Sequence, residues 1–199
     1  MANVLVVYAT HDGQTRKIAE RIATVLRVHR HVVELLDATQ SREVDLARFD
    51  AAFVGSPVRA QGYLRAVVRF IRAHRAELEQ MPTLFFSVGL AVLSKSGKGE
   101  AQTMEIVRRL VADTGWHPGK VELVAGALPY TRYNFLVRFV MRRIASKEGG
   151  DTDTSRDYEY TDWAAVDRGA VEFVDGVVRQ QHATGIQVAP RSRRAEAHA

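Results

Sequence analysis

Residues Asn3–Thr15 read NVLVVYATHDGQT. Seven residues, Asn3–Ala9, are β-branched or apolar almost without interruption, the pattern of a strand buried on both faces, as in a parallel sheet. Thr10–Thr15 breaks that pattern with turn chemistry, after which Ile18, Ile22, Val25 and Leu26 recur at helical spacing to about Val28. The unit is strand, loop, helix. Its loop sets backbone N–H groups at a helix N-terminus, hydroxyls on either side and a glycine for the turn, which together suit a phosphate monoester. It carries neither the Gly-x-Gly-x-x-Gly of dinucleotide sites nor the Gly-Lys-Ser/Thr of triphosphate sites. Asp12 as a plain helix cap is the competing reading, and the residues alone leave the two level.

Outward from this unit the same rhythm repeats. His31–Leu36 and Ala51–Gly55 are the next strands, the latter opening into Ser56-Pro57-Val58-Arg59. Tyr63–Ala76 is helical, Pro82 stops it, and Thr83–Val88 is a fourth strand. A helix over Glu100–Thr114 and a strand over Val121–Ala125 follow. Five strands alternating with helices predict an α/β, doubly wound parallel sheet whose ligands lie beyond the strand ends, here the loops after strands one, three and four. Between strand five and a helix over Trp163–Val178 lie some 35 residues, too many for a plain connection and therefore a functional insertion at about 127–160. The chain reads as one domain over 1–182 with a flexible basic tail over 183–199.

Composition narrows the class. The 199 residues are 46% hydrophobic and 26% charged, a folded body rather than a disordered or coiled-coil chain. The absence of Cys removes disulfides, thiolate catalysis and Cys-based metal sites. No stretch is long and apolar enough to span a bilayer, and no secretory leader is expected. Part of the net charge of +5 is local: within Ala127–Gly150, Arg132, Arg138, Arg142, Arg143 and Lys147 face only Glu148. On a helical wheel Arg132–Ile144 is a basic, amphipathic arm, although Phe135 and Phe139 fall among the arginines; a helix packed on its own domain is the alternative. An anionic surface is the implied partner, and a membrane interface suits the apolar content better than nucleic acid. The seven histidines are scattered, and Asp151 and Asp153 start a calcium-loop pattern that is not completed, so no metal is expected.

The THDGQT loop resembles the phosphate loop of flavodoxins, Thr-x-Thr-Gly-x-Thr, with Asp12 replacing the middle Thr. More specifically the chain is similar to the quinone-dependent protoporphyrinogen IX dehydrogenases, a flavodoxin-fold family of haem biosynthesis. The matching stretches run in order over residues 3–175: Asp12–Thr15, Gly55–Arg59, Met81-Pro82 with Phe86–Val88, Ala125–Leu128 with Tyr130 and Arg132-Tyr133, Gly149–Thr154, and Tyr160–Trp163. Gly89 departs from the pattern, where an amide side chain is expected.

The resemblance implies a sheet order 2-1-3-4-5 and bound FMN. The cofactor would be held by Thr10, His11, Asp12, Gly13, Gln14 and Thr15, with the ring between Ser56, Pro57, Val58 and Arg59 and Ser87, Val88, Gly89 and Leu90. Asp12 is expected to turn from the phosphate and cap the helix. The implied reaction is oxidation of protoporphyrinogen IX with menaquinone or ubiquinone as acceptor. The flavin is then the redox centre and no side chain a catalytic one. Arg59, Tyr130, Arg132 and Tyr133 are the expected substrate and quinone entrance. The implied location is cytoplasmic, on the inner face of the cell membrane, with self-association left open. A flavodoxin-like electron shuttle and an FMN-dependent quinone reductase are the alternatives; the basic charge argues against the first, and no nicotinamide signature supports the second.

Overall fold

The computed structural model describes residues 1–40, 44–94, 97–132, 135–148 and 151–183; at 132, 136, 137, 140, 141, 144, 147 and 148 the backbone alone is described. The main elements are β1 (Asn3–Tyr8), α1 (Gln14–Val28), β2 (Val32–Asp37), β3 (Ala51–Pro57), α2 (Arg65–Ala73), α3 (Arg75–Leu78), β4 (Thr83–Gly89), α4 (Lys98–Thr114), β5 (Lys120–Ala125), β6 (Ala127–Leu128), α5 (Phe135–Glu148), β7 (Tyr158–Glu159) and α6 (Trp163–Ala183). Five strands pair in parallel in the order β2-β1-β3-β4-β5. This is the expected doubly wound sheet.

The alternation of side chains along β1 builds both faces. Val4, Val6 and Tyr8 join Phe53 and Phe86 beneath α1 and α6, which contribute Ile18, Ile22, Val166 and Val174. Leu5, Val7 and Ala9 join Ala52, Val54 and Phe85 against α2 and α4, which contribute Val67, Ile71, Val107 and Leu110. A strand buried on both faces has no polar alternation to display, hence the continuous apolar run. Gly55 is required where it stands, because a Cβ there would lie 1.9 Å from the Phe86 ring.

Several boundaries move. The helix expected over Tyr63–Ala76 divides at His74 into α2 and α3, α4 starts two residues earlier at Lys98, and α6 runs on to Ala183, taking in the first residue assigned to the tail. The remaining tail, 184–199, lies outside the described residues. The long segment after β5 is not structureless: β6 and β7 form an antiparallel ribbon, with Tyr130–Arg132 in a 3-10 turn and α5 between them. Arg132 therefore precedes α5 rather than belonging to it, which corrects the Arg132–Ile144 helix.

Candidate functional site

The loop after β1 is closed by Thr10, whose hydroxyl accepts the Gly13 N–H at 3.0 Å. Gly13 sits in the left-handed region at φ 95°, and α1 begins there with no side-chain cap. Its first turn bonds Lys17 N–H to the Gly13 carbonyl at 3.1 Å, so the N–H groups of Gln14, Thr15 and Arg16 point off the helix end without an intrahelical acceptor. The Asp12 carboxylate lies 2.8 Å from His11 Nδ1 and 3.4 Å from an Arg59 guanidinium nitrogen. As expected, the carboxylate turns from the helix end, toward His11 and Arg59, and Thr10 takes the Gly13 N–H. The exposed Arg59–Asp12 pair is worth at most about 1 kcal/mol, but it keeps an uncompensated negative charge from the helix end.

Thr15 is buried, and the Gln14 amide is committed elsewhere: it donates to Thr161 Oγ at 2.9 Å, and Thr161 donates to the Ala125 carbonyl at 2.8 Å. What α1 offers a ligand is backbone donors.

Ser56 and Ser87 face each other in register on β3 and β4, and both are fully buried. Ser56 Oγ accepts the Leu64 N–H at 3.1 Å, while Ser87 Oγ accepts from the Tyr63 phenol at 2.9 Å. Burial pushes the Tyr63 phenol up to about 12, against the lowering effect of the Ser87 bond. Both serine hydroxyls hold the loops from beneath, and the half-buried surface above is Pro57, Val58, Gly89 and Leu90. Val58 N–H bonds the Val88 carbonyl at 2.8 Å and joins the two loops. Beyond it, Arg59 and Gly62 exchange backbone hydrogen bonds at 2.8 and 2.9 Å around Ala60 and Gln61, both at positive φ. Two non-glycine residues in that region store on the order of 1–3 kcal/mol each. The sequence lacks the Asn-Gly or Asp-Gly signal for such a turn.

The segment after β5 comes to the same edge. Leu90 packs on Leu128, Tyr130 and Ala145. Tyr130, expected at an entrance, is instead fully buried and donates to the Asp151 carbonyl at 2.8 Å. Tyr160 accepts the Asp151 N–H and donates to its carboxylate, both at 2.8 Å, and stacks on Tyr158. Burial, with the Asp151 charge, raises the Tyr160 phenol to about 12. Lys17 of α1 reaches Glu159 at 3.0 Å. On α5, Phe135 and Phe139 are 84% and 56% exposed, with Arg142 and Arg143 exposed beside them. Arg138 turns back to donate to the Tyr130 carbonyl at 3.1 Å. Tyr133, Gly149 and Gly150 lie outside the described residues, as does the side chain of Arg132.

Thr161, Tyr63, Ala60, Gln61 and the clamp role of Tyr160 were not foreseen as site residues. Thr161 and Tyr160 were visible only as part of a matching block, because neither the bond from Gln14 across 147 residues nor the Asp151 clamp nine residues away leaves a periodic trace.

The family profile of a flavodoxin domain matches residues 5–155. Protoporphyrinogen IX dehydrogenase (quinone) of Leishmania major is 35% identical over 170 residues, covering 85% of this chain and 73% of its own length. The protein of the same name from Escherichia coli K12 is 33% identical over 162 residues, covering 81% of this chain and 89% of its own. Oxidised flavodoxin 1 of Bacillus cereus superposes with a TM-score of 0.54 at 15% identity, covering 87% of this chain and 97% of its own.

Proposed function

The chain belongs to the flavodoxin-domain family and, within it, to the protoporphyrinogen IX dehydrogenases (quinone), and from that membership we propose that it is an FMN-dependent oxidoreductase. It oxidises protoporphyrinogen IX to protoporphyrin IX and passes the electrons to a membrane quinone. The observation that carries the cofactor assignment is the uncapped start of α1: three backbone donors, a left-handed Gly13 and an Asp12 neutralised by Arg59 make a nest for one phosphate. One phosphate-sized nest favours FMN over a dinucleotide. Bound FMN supplies the two-electron acceptor that no side chain of this chain can replace.

The protein's contribution is placement. Thr10 fixes the turn, and the N–H groups of Gln14 to Arg16 receive the phosphate. Pro57–Arg59 and Val88–Leu90 flank the ring with backbone and apolar surface, while Ser56, Ser87 and Tyr63 hold these loops from below. Leu90 and the ribbon over Ala127–Leu128 and Tyr158–Glu159 border the open side, where an apolar substrate meets little water. No described side chain is cast as an acid or base; protons released on desaturation pass to solvent.

The exposed end of α5 supports docking on the cytoplasmic face of the membrane. Phe135 and Phe139 give it apolar anchors, and Arg142 and Arg143 each add about 1 kcal/mol beside anionic lipid. Among the described residues no helix is long and apolar enough to cross a membrane.

Anaerobic incubation of the FMN-loaded protein with protoporphyrinogen and a quinone analogue tests the reading through porphyrin fluorescence. Porphyrin formation that depends on the quinone is expected. A flavin-loaded protein that forms none would be an electron shuttle.

A further inference from the structure

The seam between α1 and α6 opens into a groove of about 610 Å³. Arg21 closes its head by donating twice to the Asp167 carboxylate, at 2.7 and 2.6 Å. Arg21 stands about two turns along α1 from Gln14, so the groove is clear of the cofactor nest. Its apolar lining is Val25, Val28 and Val171. Val28 is 75% exposed, while Val25 and Val171 are half-buried. Apolar side chains left open in a concave seam between two helices mark a face that another surface covers.

Charge decides which surface. Two arginines and two carboxylates line the groove, so a purely anionic surface, whether lipid or acidic peptide, finds as much repulsion there as attraction. The four charges are not equivalent. Arg21 and Asp167 neutralise each other, whereas among the described residues neither Arg168 nor Glu172 has an ion pair, although both are exposed and stand four apart on α6. Val171 lies between them in the chain. A cation on one side of an apolar residue and an anion on the other form a self-complementary pattern. In an antiparallel pair of identical helices related by a two-fold axis, residues equidistant from the axis meet each other's counterparts. With the axis crossing α6 midway between Arg168 and Glu172, each Arg168 meets the partner's Glu172, and the two Val171 side chains meet beside the axis.

We propose that this face is a homodimer interface, in which α6 lies antiparallel to α6 of a second copy of this chain, Arg168 pairs with the partner's Glu172 in both directions, and Val28 and Val171 are sealed between the copies. The inference is independent of the porphyrinogen reading. No residue of the phosphate loop or of the insertion lines the groove, so pairing calls on neither.

Sedimentation equilibrium of the FMN-loaded protein over a dilution series tests this. Wild type should pass from the mass of one chain to that of two as concentration rises. Arg168→Glu and Glu172→Arg, made separately, each set like charges against each other in both contacts, and each should weaken self-association at least ten-fold. An equimolar mixture of the two variants restores opposite charges in both contacts and should dimerise as wild type does, a recovery that a folding defect cannot produce. Val28→Asp should weaken the dimer comparably. Arg179→Glu, exposed on α6 outside the groove, should leave it unchanged. A wild type that stays monomeric throughout, a dimer indifferent to either reversal, an equal loss in the Arg179 variant, or a mixture no stronger than its components would overturn the proposal.

Discussion

From Val4 to Tyr8 every side chain of β1 is buried between two layers of helices, whereas among the described residues of 127–160 three hydroxyl, amide and carboxylate bonds gather on Asp151. The sheet and its helices are held by apolar area, spread over two large clusters. Among its described residues the insertion has a cluster of Leu128, Tyr130 and Ala145, and two phenylalanines stand in water. Non-directional burial gives a cooperative body, while a few directional bonds give a unit that opens locally at lower free energy. The division matches the assigned roles: the rigid body fixes a cofactor, and the attached unit shapes an entrance. It also predicts that the two can be perturbed apart.

The largest effect should follow from Phe53→Ala. Phe53 is 1% exposed and packs edge-on against Phe173 at 5.1 Å, so its truncation costs about 3–5 kcal/mol and lowers the denaturation midpoint of both regions together. Insertion signals that survive while the sheet melts would break the comparison.

Thr161→Val probes the seam. It removes the hydroxyl that links Gln14 of the phosphate loop to the end of β5, at a cost of about 1–3 kcal/mol for groups left unpaired. FMN should bind several-fold more weakly, and amide exchange should rise in 151–160. Unchanged FMN affinity would show the two regions to be independent at this point.

Tyr160→Phe should act within the insertion alone, costing about 1 kcal/mol and raising exchange around Asp151 without moving the global midpoint or releasing FMN. Its phenol is raised to about 12 in the folded protein from an ordinary 10.0. The folded state therefore favours the neutral phenol, and this contribution is whole below pH 10 and lost as pH rises toward 12. Tyr63, raised to the same range under the sheet's loops, keeps its alkaline transition in the variant, so the two regions can be told apart by titration.

The smallest effect sits at the N-terminal edge of the sheet. His31 is buried and accepts the Ala2 N–H at 3.2 Å, and burial lowers its pKa below the ordinary 6.5. The unfolded chain then binds the proton first, so stability falls as pH drops below about 6.5. Urea midpoints at pH 7 and pH 5 should differ by less in His31→Gln than in wild type.

The first strand, its loop and the alternation of strands with helices were legible in NVLVVYATHDGQT and its repetition, because burial on two faces imposes composition residue by residue, while the order of the sheet came from the family resemblance. The loops after β3 and β4 were legible as positions, since a doubly wound sheet puts ligands at its strand ends. The direction of each polar group was not. Asp12 has a capping residue's chemistry and turns to His11 and Arg59, and the buried Ser56 and Ser87 hold backbone and Tyr63. These choices depend on where the fold sets partners such as Arg59 and Tyr63. The same limit applies to Tyr130, whose burial depends on Leu90 and Tyr158 closing over it, and to Arg132, which local periodicity joined to a helix that starts three residues later.

The account stands most directly on deleting the insertion. Gly126 and Tyr160 are already joined by a backbone hydrogen bond of 3.0 Å, and Ala127 pairs with Glu159, so a short Gly-rich link can replace 127–159 without stretching the sheet. The truncated protein is expected to keep stoichiometric FMN and the cooperative unfolding of the sheet while losing porphyrinogen oxidation with quinone. Full oxidation by the truncated protein would contradict the assignment of the insertion to the substrate entrance.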